Sequence, residues 1–299
     1  MNSSLIKTEI DFKNIQKKNL DSTNNKMYQI ASCSKFITYV VVGKLYELGK
    51  LDYDTDINKY LKKWKCPAKK ITLRHLLTHK SGIDKGGFPG YDINNKKLPS
   101  NIDILNGNGN SKEIKFVEKP GKKYMYSGIG YQVIQQVLEE ITGKKLYQLM
   151  DKYIFKPLKL KYSTGKILYP KKHKYNLVKI KNWDYKLYPE TAAAGVWMST
   201  NDLFKIILDL SNGYKSNTSK LLKNETLMLF LNDLYNEEYN FKFRKKDNEI
   251  NIFHTGSNDG YITVMGCYPM LGECFIIMVN YISSVENKIK AKQYIKKQK

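Results

Sequence analysis

The stretch from Ser32 to Leu48 constrains this chain more than any other, because its apolar residues leave water almost no side to approach. Ile37, Val40, Val41, Leu45 and Leu48 share a face at helical spacing, and the apolar run extends from Phe36 to Val42 around the rest. A helix apolar over much of its circumference is stable only at the centre of a fold. Gly49 supplies its stop. The sequence therefore predicts a buried central helix with Ser32 at its head, around which everything else must pack.

The remaining segments change character along the chain. Residues 5–12 read as one weak strand, followed by a polar turn at 21–25. Short helical pieces alternate with loops over 51–77, and 81–121 is an irregular stretch full of turn pairs such as Gly86-Gly87, Pro89-Gly90 and Pro120-Gly121. A loop of that length in a compact enzyme often lines a cleft. Val133, Ile134, Val137, Leu138 and Ile141 restore helical spacing, and residues 201–210 form another helix, with Gly213 just beyond its end. Residues 239–243, 250–253, 261–268 and 274–281 read as consecutive strands, and 285–294 as a closing lysine-rich helix. Helices in the middle and antiparallel strands at the end imply an α+β fold: one domain over 1–299, its antiparallel sheet flanked by helices, with a mostly helical insert near 51–195.

Lys and Arg total 51 against 28 Asp and Glu, a formal net charge of +23, yet Arg74 and Arg244 are the only arginines. Such a field would steer the chain to nucleic acid, but base-edge readout favours the planar fork of arginine. Because the lysines are spread over the whole chain, they are read as a solvated surface, and no nucleic-acid partner is expected. No apolar run is long enough to span a membrane, and the polar start of the chain lacks the apolar core of a signal peptide, so a cytoplasmic protein without a membrane partner is expected. Cys33, Cys66, Cys267 and Cys274 show no metal-ligand spacing, and no metal or other cofactor is expected. Cys267 and Cys274 flank a hairpin turn where a disulfide is conceivable, although reduced, packed thiols are the preferred reading.

Chemistry points first to Ser32-Cys33-Ser34-Lys35. Residues three apart share a helical face, so the Ser32 hydroxyl and the Lys35 amine are neighbours. A serine becomes a nucleophile when something accepts its proton, and an amine at a helix N-terminus stabilises the alkoxide. Alone, the motif equally describes an N-cap serine and a surface lysine. Two further segments stand out: Tyr126-Ser127-Gly128 before a helix, and His254-Thr255-Gly256 at a strand end, followed by Ser257-Asn258-Asp259-Gly260.

In this order the three segments resemble the superfamily of serine β-lactamases, penicillin-binding proteins and related esterases. They are most similar to its class C-like and esterase-like members, with Ser-x-x-Lys, then Tyr-x-Asn or a variant, then Lys- or His-x-Gly. Leu76-Leu77-Thr78-His79-Lys80-Ser81-Gly82 and Ala193-Ala194-Gly195-Val196-Trp197 are similar to further family segments. The resemblance implies a serine hydrolase for small ester or amide substrates, with Ser32 as nucleophile and Lys35 accepting or relaying its proton. It implies Tyr126 as general base and then acid, His254 as an orienting group or a contact for a substrate carboxylate, and the N–H groups of Ser32 and Ser257 as the oxyanion hole. Gly128, Thr255 and Gly256 would line the substrate site. Without the resemblance, Tyr126 reads as a cleft-wall aromatic and His254 as a satisfied strand-end histidine. His75 and His79 are assigned to fixing the loop at Ser81, and Trp197 to core or cleft wall.

Two departures qualify the resemblance. Gly128 stands where many members have asparagine, whose amide meets the substrate's acylamino group, so ester or small-amide hydrolysis is favoured over β-lactam hydrolysis. The chain before Ser32 has room for little more than one strand, which would leave a sheet edge open. A catalytically degenerate relative that binds a ligand or partner is the alternative function.

Overall fold

The computed structural model describes residues 3–9, 18–19, 25–84, 86–95, 97–168, 177–178, 185–235, 252–271, 273–281, 289 and 292–293. Its main sheet has the order β2-β1-β8-β7-β6, with every neighbouring pair antiparallel. The strands are β1 (Ser3–Glu9), β2 (Lys18–Asn19), β6 (Ile252–Asn258), β7 (Tyr261–Tyr268) and β8 (Glu273–Asn280). A smaller sheet, in the order β3-β5-β4, joins β3 (Tyr28–Gln29), β4 (Ser163–Thr164) and β5 (Trp197–Met198).

Helix α1 (Ser34–Glu47) is the predicted central element: Ile37, Val40, Val41, Val42 and Leu45 are all buried. A single 3-10 turn, Ala31–Cys33, precedes it. The other described α-helices are α2 (Leu73–Leu77), α3 (Asn101–Leu105), α4 (Gly128–Thr142), α5 (Leu146–Met150), α6 (Thr200–Ser216) and α7 (Asn224–Tyr235), of which α4, α5 and α7 pack against α1. The arrangement is α+β, as the order of patterns in the sequence implied.

Several details differ from expectation. The weak N-terminal strand is β1, which pairs with β8 along its whole length, and β2 then covers its outer edge. Among the described residues, two strands of the main sheet and β3 of the smaller one therefore precede Ser32, where little more than one strand was expected. Within the irregular stretch, α3 forms because Ser100 and Asp103 make a capping box and Ile104 and Leu105 are buried beneath it. Helix α6 runs past Gly213 and ends at Asn217, which adopts the left-handed conformation. Helix α7 escaped the sequence reading, although Leu227, Phe230 and Leu231 carry its buried stripe. The strand expected at 239–243 lies outside the described residues, as does most of the closing helix expected at 285–294.

The cysteine expectation is corrected. Cys267 and Cys274 face each other directly across β7 and β8, with Cα atoms 4.0 Å apart, and form a disulfide. Cys33 and Cys66 are buried free thiols. Trp197 belongs to the core, edge-on to Tyr185 and Tyr261. Among the described residues no helix is long and apolar enough to cross a membrane.

Candidate active site

The turn before α1 is built to present Ser32. Ala31 has a φ of +49°, a left-handed conformation that costs a residue with a side chain free energy and persists where surrounding contacts enforce it. Those contacts are backbone bonds: Ile30 donates to the carbonyl of Val196 at 3.0 Å, and Cys33 donates back to Ile30 at 3.0 Å. Ser32 is left half-buried, whereas Lys35, one turn on, is only 2% exposed.

The Lys35 amine donates to Ser32 Oγ at 3.1 Å and to the carbonyl of Ala193 at 2.9 Å. The Ala193 segment is itself fastened to α1. Thr38 donates to Ala192 O at 2.9 Å, and Val196 N–H donates to Ser34 Oγ at 3.1 Å. The amine is thus held by one backbone oxygen and aimed at one hydroxyl. Its Nζ also lies 5.0 Å from the ring centroid of Tyr126 and 5.5 Å from that of Tyr131.

Tyr126 comes from the other wall, the segment before α4, and His79 positions it. Met125 N–H donates to His79 O at 2.7 Å, Ser127 N–H donates to His79 Nδ1 at 3.1 Å, and the His79 and Tyr126 rings lie 4.4 Å apart. Burial, then the charge of Lys35, then His254, hold the His79 imidazole well below its ordinary pKa. It is therefore neutral, accepts at Nδ1 and carries its proton on Nε2. His75 caps α2 through Thr72, as a structural histidine would. The His79 side chain was expected to fix the loop at Ser81; its ring instead holds Ser127 and packs on Tyr126. The only available signal was its place in the Leu76–Gly82 segment.

Strand β6 forms the third wall, and its close approach depends on Gly256. A Cβ at this position would lie 2.3 Å from Ile30 O and 2.8 Å from Ser32 N, so only glycine lets the strand press against the nucleophile turn. β6 is an edge strand, and Asp259-Gly260 joins it to β7 as a two-residue turn, with Asn258 opposite Tyr261. Gly256 thereby brings β6, with the neighbouring exposed Ser257, against the turn that carries Ser32.

His254 is 6% exposed, and its Nδ1 lies 2.8 Å from Thr255 O. Burial and Lys35 push its pKa down to about 3. An imidazole uncharged at neutral pH suits orienting its neighbours better than attracting a substrate carboxylate. Thr255 and Ser257 are exposed on the strand.

A polar lock that sequence reading missed fixes the far end of β6. The Asn258 amide donates to Gln29 Oε1 at 2.7 Å and to Ala194 O at 3.1 Å, while Gln29 donates to Lys186 O at 2.8 Å. Neither residue type announces such a role in sequence. Gly128 is buried at the start of α4, and its N–H donates to Gly86 O at 3.2 Å. Among the described residues no group of three or more His, Cys, Asp or Glu could hold a metal. An open surface depression of about 580 Å3, lined by Tyr46, Leu51, Tyr60 and Lys223, shares no residue with this site.

The chain is 27% identical over 269 residues to a teichoic acid D-alanine hydrolase of Staphylococcus aureus (strain MRSA252), covering 83% of this chain and 63% of that protein. It therefore spans less than two thirds of that relative's length. Its fold is similar to that of FmtA from Staphylococcus aureus, with a TM-score of 0.71 and 22% identity, over 97% of this chain and 80% of that one. It is also similar to D-amino acid amidase from Ochrobactrum anthropi SV3 complexed with L-phenylalanine, with a TM-score of 0.69 and 17% identity, over 93% and 85%. The Beta-lactamase family model matches residues 11–298, and the chain belongs to the Beta-lactamase family.

Proposed function

We propose that this chain hydrolyses esters or small amides through an acyl-enzyme on Ser32, and that its substrate is a small acyl group carried on an anionic molecule. The observation that carries the first half is the buried Lys35 amine, 3.1 Å from Ser32 Oγ and beside Tyr126. Ser32 Oγ attacks the carbonyl carbon while its proton passes to the Lys35–Tyr126 pair. The N–H groups of Ser32 and Ser257 receive the negative oxygen. The leaving alcohol or amine takes the proton back as the tetrahedral species collapses. Water then attacks the acyl-enzyme, giving its proton to the same pair, and the acid leaves with Ser32 restored. No cofactor enters any of these steps.

Two facts support the second half. The curated relative is named for removing D-alanine from teichoic acid, a polyanion, and a net charge of +23 attracts such a carrier.

The test is covalent labelling with a fluorophosphonate, read by mass spectrometry. A single adduct on Ser32, absent in Ser32→Ala, is expected. A folded wild-type protein that takes no label and hydrolyses no ester would instead be a ligand-binding relative. For the carrier, hydrolysis of a polyanion-borne ester should fall with added salt, while that of a simple ethyl ester should not. Equal salt response would remove the carrier.

A further inference from the structure

The acyl side of the cleft is closed in an unusual way at Gly128. Ser127 is extended, with φ −134° and ψ 119°, so side chains at 126 and 128 leave the chain on the same side. Whatever stood at 128 would project beside Tyr126. That space is already taken: a Cβ on Gly128 would lie 2.6 Å from Cε2 of Phe88, 3.2 Å from its Cζ and 3.2 Å from Gly86 O.

The chain just before Phe88 is also tied down. Gly128 N–H donates to Gly86 O at 3.2 Å, Ser127 Oγ donates to Asp84 O at 3.2 Å, and Asp84 N–H donates to Lys115 O at 2.9 Å. The ring is half-buried, with part of it packed on the main core. It has no hydrogen-bonding atom, so an amide pressed against it would lose water and gain no partner.

We infer that Phe88 is the specificity-determining wall of the acyl pocket, admitting small acyl groups and rejecting those that bear an N-acyl arm. The ring does this in two ways. It fills the path such an arm would follow, and it leaves the arm's amide unpaired. Substrates are therefore esters of unacylated amino acids or of short acids. This rests on the function proposed above and narrows its substrate class.

The experiment compares kcat/KM for D-alanine ethyl ester and N-acetyl-D-alanine ethyl ester. Wild type is expected to prefer the first. Phe88→Ala should shrink that preference about tenfold, the scale on which pocket shape discriminates. Phe88→Leu, which keeps apolar bulk and guards against a folding defect, should fall between. Phe88→Ala combined with Gly128→Asn restores an amide and should shrink the preference further. Variants are scored only if they melt cooperatively and label at Ser32. A preference unchanged within twofold in all of them, or a wild type that favours the N-acetyl ester, overturns the role of Phe88 while leaving the hydrolase intact. A wild type that neither labels nor hydrolyses removes both.

Discussion

The two walls that meet at Ser32 are made differently. On one side, Lys35 sits on a helix buried around its circumference, and main-chain oxygen holds its amine. On the other, Tyr126 comes from a loop that reaches the core through His79 and through the Asp84–Gly86 strap. A helix packed on all sides cannot shift without opening cavities, whereas a loop can be re-cut one contact at a time. In the proposed mechanism, the Lys35 wall fixes the chemistry and the Tyr126 wall sets substrate choice.

Substitutions on each side should sharpen that contrast. Lys35→Met keeps the length of the side chain and removes the amine. We expect kcat/KM to fall on the order of 10²–10⁴-fold with the melting profile nearly intact, and near-normal turnover would break the scheme. Gly256→Ala comes next. Its methyl would meet backbone atoms of Ile30 and Ser32 that cannot rotate away, so β6 must move back from the oxyanion position. A loss of roughly 10²-fold in kcat is expected, with about 1–3 kcal/mol of destabilisation in urea titrations. On the tyrosine wall, His79→Asn retains a residue tolerant of the observed φ of +56° but loses the ring beneath Tyr126. It should cost about tenfold in kcat and displace the pH–rate profile, because the phenol's surroundings change. A purely structural His79 would lower stability without moving that profile.

The smallest effect lies behind both walls. Glu190 is fully buried, with its carboxyl group beside the Ser111 hydroxyl. Burial raises its pKa from 4.5 to about 7. The folded state therefore holds this proton more tightly than the unfolded chain, and stability from it is lost as pH rises from about 4.5 through 7. Glu190→Gln should flatten that decline and stabilise the protein above pH 7 by at most about 3 kcal/mol, measured by denaturant titration across pH. His254 works in the opposite direction. Its depressed pKa of about 3 makes stability fall as pH drops below about 6.5, and that limb should persist in the variant.

The sequence revealed the parts governed by local rules. Central α1, the Ser32–Lys35 spacing and the β7 and β8 strands follow from periodicity, and the three segments that meet at the candidate site were visible as short motifs. What it hid were contacts between distant residues. Asn258 reaches Gln29 across 229 positions, and Phe88 reaches Gly128 only through the path of an irregular loop. The disulfide was hidden for a different reason: two cysteines beside a turn pair only if the strand register sets them face to face, and periodicity does not fix register.

The oxygen that steadies the Lys35 amine belongs to the main chain at Ala193. Every amino acid supplies that atom, so no single codon change can delete it. Natural variants that weaken this anchor without touching Ser32 or Lys35 should therefore be found at Ser34, Thr38, Gln135 and Asn258, whose side chains hold residues 192–196 on course.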